Sequence, residues 1–313
     1  MSTPGRGAST AAKVVGFVAF LAVVLGVTWV AGAQVGPVDP PERETHDEAH
    51  EADGSEAGGH GAAGHGAAAD EAGSEALPGL AAAQDGYRMV LADPVLEPGA
   101  RAVSFTVEGP DGHPVTEFDV EHEKRLHLIV VRRDHSGFQH LHPRLDKGTG
   151  TWTVDAKLRP GSWRVYADFK PSGGPALVLG SDLLVPGRVP EPEPTTEVRT
   201  DVVEGYTVAV DGTLEPGEHS ELTLTVTEDG EPVTDLQPYL GAYGHLVALR
   251  EGDLAYLHVH PGGEPGDGET APGPDIEFGV EVPTSGRYHL YLDFRHDGVV
   301  RTAHLVLDAG HTH

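Results

Sequence analysis

The sequence predicts an all-β protein, two tandem antiparallel β-sandwiches set after a single N-terminal transmembrane helix, and three observations carry that expectation. The first is a repeat. LHLIVVRRDHSGFQHLHP at 126–143 returns as GHLVALREGDLAYLHVHP at 244–261, so that His127 and His245, His140 and His258, and His142 and His260 are each 118 positions apart. The second is periodicity. Beyond residue 33 no window shows a 3.6-residue apolar period, and short runs rich in Val and Thr are cut by Gly and Pro, of which the chain has 42 and 25. The third is Val14 to Ala33, a run without a charge. At about 1.5 Å per residue it can cross a hydrocarbon core of about 30 Å.

Taken in order, residues 1–36 form the anchor. Arg6 and Lys13 precede the apolar run while Asp39 and Glu42 follow it, which places the N-terminus in the cytoplasm and the rest outside the cell membrane. Ala31-Gly32-Ala33 also has the small-x-small form of a signal-peptide cleavage site, so a secreted product is the rival expectation. Residues 37–84 are Ala, Gly, Glu and His with almost no large apolar side chain, a stalk that cannot bury enough surface to offset its ordering entropy. Its His46, His50, His60 and His65 are either incidental or weak ligands that concentrate metal near a stronger site.

The first sandwich is expected over 85–187, with strands near Tyr87–Leu91, Ala102–Glu108, the repeated hairpin, Thr151–Leu158, Ser162–Phe169 and Leu177–Val185. Short strands at this spacing with Gly and Pro between them suit an immunoglobulin-like sandwich. A Pro- and Glu-rich linker, 188–203, precedes the second sandwich at 204–309, and 310–313 is a tail whose His311 and His313 are treated as incidental. The second sandwich repeats the first: TLEPGEHSELTLTVTEDGEPV stands against VLEPGARAVSFTVEGPDGHPV, and SGRYHLYLDF against PGSWRVYADF.

The chemistry sits in the repeated hairpin. If Gly252 and Asp253 are the central turn residues, antiparallel counting sets His245 opposite His260 and Val247 opposite His258. Side-chain alternation then puts His245, His258 and His260 on one face, and the same count groups His127, His140 and His142. Three imidazoles on one sheet face suit a transition metal, so one site per sandwich is expected. In an immunoglobulin-like sandwich the strand carrying His127 lies beside the end of the strand carrying Asp168, and likewise His245 beside Asp293. Each aspartate could complete a site as a fourth ligand, but Asp168 and Asp293 are expected to stand behind the ligands and orient an imidazole. His113, His122, His135, His219, His289, His296 and His304 have no repeat counterpart and are read as surface or satisfied residues.

Composition narrows the chemistry. There is no cysteine and only two methionines, which excludes disulfides, thiolate centres, blue copper and methionine-rich cuprous sites. Imidazole, with or without a carboxylate, favours Cu(II) or Zn(II), and nitrogen ligands disfavour calcium. A net charge of −28 argues against nucleic acid as a partner. Nothing resembles a nucleophile elbow, a phosphate loop or a His-Glu-x-x-His helix, so no catalytic residue is expected.

HLIVVRRDHSGFQHLHP followed by GTWTVDAKLRPGSWRVYADF resembles secreted or membrane-anchored actinobacterial proteins with HLHP-motif repeats, over about Tyr87 to Val185 and more weakly in the second half. In style the opening and late strands also look like YtkA-like and CopC-like exported immunoglobulin-fold domains, some tied to copper handling. Ligands of those families do not map onto His127, His140 or His142. The expectation is an exported, membrane-tethered protein that buffers or delivers Cu(II) or Zn(II). The alternative is a structural module that presents loops to a cell-envelope partner, its histidines serving as internal hydrogen-bond groups. A copper-dependent oxidase is a third reading.

Overall fold

A computed structural model describes residues 77–191, 194–257 and 259–310. The expected anchor, nearly all of the stalk, His258 and the terminal His-x-His lie outside the described residues. Among the described residues no helix is long and apolar enough to cross a membrane.

The first half contributes nine strands: β1 (Ala83–Gln84), β2 (Tyr87–Leu91), β3 (Gly99–Glu108), β4 (Leu126–Arg132), β5 (Gln139–Leu141), β6 (Arg144–Asp146), β7 (Thr151–Leu158), β8 (Gly161–Phe169) and β9 (Leu177–Val185). They form two antiparallel sheets, β1-β2-β3-β7-β6 and β5-β4-β8-β9. The second half contributes β10 (Thr200–Val203), β11 (Tyr206–Asp211), β12 (His219–Glu228), β13 (Glu231–Pro232), β14 (Gly244–Arg250), β15 (Tyr256–Leu257), β16 (Val259–Pro261), β17 (Asp275–Glu281), β18 (Gly286–His296) and β19 (Val299–Ala309). Its sheets are β10-β11-β12-β17-β16, with β13 added to β12, and β15-β14-β18-β19. Strand β10 falls inside the stretch read from sequence as linker, because Thr200–Val203 pairs with Tyr206–Ala209 of β11. Gly161 and Gly286, at the start of the matching late strands, both sit at positive φ (141° and 140°), where a side chain would be strained.

Each sandwich closes over its own apolar core. Phe105, Leu128, Trp152, Trp163 and Phe169 fill the first, and Tyr206, Leu224, Phe278, Leu292 and Phe294 the second. Alternation decides which residues do this: Leu126, Leu128 and Val130 point inward from β4, as do Leu246 and Ala248 from β14. The other face of the hairpin strands is covered as well. Ile129 and Val131 of β4, with Tyr166 of β8, join Val247 and Leu249 of β14, with Leu254, Tyr256 and Tyr291, in a third buried cluster. The two hairpin sheets are therefore packed face to face, and both halves belong to one compact unit. Every residue of β4 is buried, as expected for a strand covered on both sides. At about 1.5–3 kcal/mol for each fully buried large aliphatic side chain, this interface stabilises the pair on the scale of a small core.

Polar bonds fix its register. The Tyr166 hydroxyl donates to the Leu254 carbonyl at 2.5 Å, and the Tyr291 hydroxyl donates to the His135 carbonyl at 2.7 Å. Tyr291 also stacks on Phe138, centroids 4.0 Å apart and planes 5° from parallel.

Candidate metal centre

The same alternation that sends Ile129 into the interface sends His127 there too, two residues earlier on β4. Strand β5 pairs with β4 through Leu128–Leu141, Ile129–His140 and Val130–Gln139, so His140 shares the face of Ile129. His142 follows two residues later. One ring nitrogen from each of His127, His140 and His142 lies within 4.8 Å of the others. The grouping counted from the sequence is present in the first hairpin.

The second hairpin behaves differently. Its register matches the count through Ala248–Leu257 and Leu249–Tyr256, although positive φ falls on Gly252 and Leu254 rather than on Gly252 and Asp253. The chain then leaves the sheet. Val259, His260 and Pro261 pair with Val280, Gly279 and Phe278 of β17, on the opposite sheet, and His260 is exposed. His260 is therefore not across from His245, and the expected triad of His245, His258 and His260 is not formed as a sheet face.

His245 instead faces the first hairpin across the interface. Its ring lies 4.8 Å from that of His140 and stacks on that of His127 at 5.6 Å with planes 10° apart. Among the described residues the imidazoles expected at one site per sandwich meet in one shared cluster, because the two hairpin sheets pack against each other and bring His245 to His127 and His140. His122, read as a surface residue, is exposed but reaches the same place: its ring is 6.1 Å from His127 and 5.9 Å from His245.

The two aspartates are where strand pairing was expected to put them, His127 beside Asp168 and His245 beside Asp293. Their side chains bond elsewhere. Asp293 accepts from His140 Nδ1 at 2.7 Å, across the interface, and from the Thr302 hydroxyl at 2.5 Å. Asp168 accepts from the Tyr256 hydroxyl at 3.3 Å, and burial pushes its carboxyl up to about 6. No hydrogen bond joins Asp168 to His127 among the described residues.

Hydrogen-bond accounting gives the cluster its character. A carboxylate and a carbonyl only accept. Asp293 therefore accepts the Nδ1–H of His140, and the Glu121 carbonyl, 3.2 Å from His127 Nε2, fixes the proton of neutral His127 on Nε2. This leaves His127 Nδ1 as an acceptor 3.0 Å from His140 Nε2, a gap that a proton on His140 or a shared cation can bridge. His142 Nε2 is buried with no partner. Burial, then repulsion from His140, holds His127 down at about 4. Burial, then His140, His127 and Lys124, holds His142 at about 3, and burial places His245 well below the ordinary imidazole range. At neutral pH these three are uncharged, the protonation state that ligates metals. A cavity of about 210 Å³, lined by Glu121, His122, His127 and Asp168 among others, leads to the cluster.

A second buried histidine group lies elsewhere in the interface. His135 stacks on His289 with centroids 3.6 Å apart and planes 6° from parallel, and His289 Nδ1 is 2.9 Å from His304 Nε2. Stacked parallel rings direct their lone pairs side by side rather than at one point, so this pair is poorly arranged to share an ion. The sequence reading set these residues aside with His122 for lack of repeat counterparts. The available signal was the apolar content of both parities in LHLIVV, which marks a strand buried on two faces.

Comparison with known proteins gives a family without a function. Residues 82–178 and 200–311 match the model of a domain of unknown function, DUF8832. No significant match is found among curated proteins. Similar solved structures include the adhesin InvE of Yersinia pseudotuberculosis (12% identity, TM-score 0.20, covering 71% of this chain and 58% of that one). A putative membrane anchored protein from Corynebacterium diphtheriae (11%, 0.21, 73% and 60%) and the D0-D1 domain of intimin (12%, 0.19, 70% and 96%) are others. The chain thus spans about three fifths of the first two, and likeness at these scores carries no functional argument. The chain belongs to the DUF8832 family, whose model covers both of its sandwiches.

Proposed function

We propose that this is an exported, membrane-tethered protein of two immunoglobulin-like sandwiches that binds one Cu(II) or Zn(II) ion between them, for buffering or delivery outside the cytoplasm. The ligands are His127, His140 and His142 from the first half, with His245 as the neighbour best placed to add a fourth. Asp293 orients His140, the role that a carboxylate behind a metal-bound imidazole commonly plays. The observation that supports this most is two imidazole nitrogens 3.0 Å apart, beside a third buried nitrogen without a partner among the described residues. An ion about 2.0–2.1 Å from both nitrogens would see them at roughly a right angle, the relation between neighbouring ligands in tetragonal Cu(II) coordination.

The experiment is a Cu(II) and Zn(II) titration of the full chain. The expected outcome is one strong equivalent per chain, weakened in acid as the ligand imidazoles take up protons, and lost in His127→Ala and in His142→Ala. Two strong equivalents, or a single one that survives both changes and disappears with the stalk histidines, would overturn it.

A second reading is a metal-free network that fastens the two sandwiches, and the His140–Asp293 bond across the interface favours it. It predicts that metal leaves thermal stability unchanged, whereas an ion held by both halves raises the melting temperature as its concentration exceeds Kd.

A further inference from the structure

Beside the histidine cluster lies a cavity of about 330 Å³ with His142 in its wall, and it is not explained by metal binding. The chain carries 49 acids against 21 basic residues, yet the cavity is rimmed by Lys124, Arg125, Arg144 and Lys147, with Glu123 the one acid among its lining. Lys147 is engaged by Glu117 at 2.8 Å. Lys124, Arg125 and Arg144 have no side-chain hydrogen bond or ion pair among the described residues. Many arginines elsewhere are paired: Arg88 with Glu108, Arg132 with Asp134, Arg164 with Asp182, Arg250 with Asp253, Arg287 with Asp308.

A second observation points the same way. Trp152, 2% exposed, also lines this cavity, and its indole N–H is buried with no acceptor. An indole can only donate, so a buried one without a partner lacks an acceptor. Glu123 lies in the lining and Glu117 feels the charge of Arg125, yet none of the three cations has an ion pair among the described residues; clustered cations around a concavity attract negative charge, and the guanidinium fork matches oxyanions two oxygens at a time. The volume is at the small end of the ~300–1,000 Å³ typical of small-molecule sites.

We propose that this cavity is a binding site for a small polyvalent oxyanion, a di- or tricarboxylate or a phosphate, held by Lys124, Arg125 and Arg144. The inference stands without the metal reading, since none of these three groups ligates metal. Where both hold, the shared wall at His142 sets the anion next to the ion.

The test is calorimetric titration of the full, metal-free chain with citrate, with inorganic phosphate and with pyrophosphate, at fixed ionic strength, following tryptophan fluorescence in parallel. The expected result is saturable one-to-one binding of at least one of them with a fluorescence change. Arg144→Gln should weaken it at least tenfold and Lys124→Gln combined with Arg125→Gln should remove it. Arg101→Gln, which changes an exposed arginine bonded only to a backbone carbonyl, should leave it within twofold. Binding of citrate alone assigns the carboxylate class, and binding of phosphate or pyrophosphate alone the phosphate class. No saturable binding by any of the three, or equal loss in Arg144→Gln and Arg101→Gln, overturns the proposal. Because metal is absent throughout, failure of the metal site and failure of this one are read separately.

Discussion

The two hairpins share a sequence pattern and end differently. In the first, β5 stays on β4 as far as Leu141, His140 and His142 remain partly buried against the neighbouring half, and the chain crosses to the other sheet only at Arg144. In the second, pairing with β14 ends at Leu257, and Val259 already belongs to the other sheet, which leaves His260 exposed. The crossover thus comes earlier in the second copy, measured against the 118-residue offset. The second half contributes His245 and Asp293 to a cluster whose other imidazoles come from the first. Among the described residues the duplicated motif does not form two matching clusters, because a side chain's surroundings depend on which sheet its strand joins and on what covers that sheet.

That asymmetry can be broken most directly by exchanging the roles of matched residues. His142→Ala should lower Cu(II) affinity at least a hundredfold, while His260→Ala, its repeat counterpart, should leave it within twofold in a competition titration. Similar losses in both would restore two equivalent sites.

Acid should separate the halves. A histidine held neutral by burial has its pKa depressed, so the unfolded chain binds protons first. Its contribution is whole above about pH 6.5 and is lost as pH falls toward the folded value. For His127 and His135, both pushed down to about 4 chiefly by burial, this amounts to roughly 3 kcal/mol each. His142 and His289, at about 3 and about 2, extend the loss to lower pH. Chemical denaturation of the metal-free protein between pH 7 and pH 4 should therefore show stability falling by several kcal/mol, with His135→Phe, which keeps a stacked ring without a basic nitrogen, flattening the profile.

The aspartates give a finer contrast. Asp293→Asn should weaken metal binding by about ten- to a hundredfold by loosening His140. Asp168→Asn, whose amide oxygen still accepts from the Tyr256 hydroxyl, should change affinity less than threefold. Equal effects would mean that Asp168 reaches the ion directly.

The smallest effect tests the interface alone. Tyr291→Phe removes the hydroxyl bond to the His135 carbonyl but keeps the stack on Phe138, so about 1 kcal/mol of stability should be lost with metal affinity unchanged. Coupled loss of affinity would show that docking of the halves sets the geometry of the centre.

Much of the fold was legible in the residues. Alternation in LHLIVV and HLVALR, turn residues at fixed offsets and the late PG-aromatic strand identify the antiparallel strands and the pairing of His127 with Asp168 and His245 with Asp293. The grouping of His127, His140 and His142 followed from counting across one hairpin. The site was less legible. His245 meeting His140, Asp293 bonding to His140 rather than to its strand neighbour, and the reach of His122 all cross between halves or depend on a loop at positive φ. No local spacing encodes such contacts.

Parity along a strand is a covalent property, and the sequence by itself determined it: His127, Ile129 and Val131 must share one face, and Leu126, Leu128 and Val130 the other. Which of those faces meets solvent and which meets a second sheet depends on the apolar area that each half leaves uncovered. That was decided only when Ile129, Val131, Val247 and Leu249 closed on one another. Their burial drew imidazoles of both halves into one place.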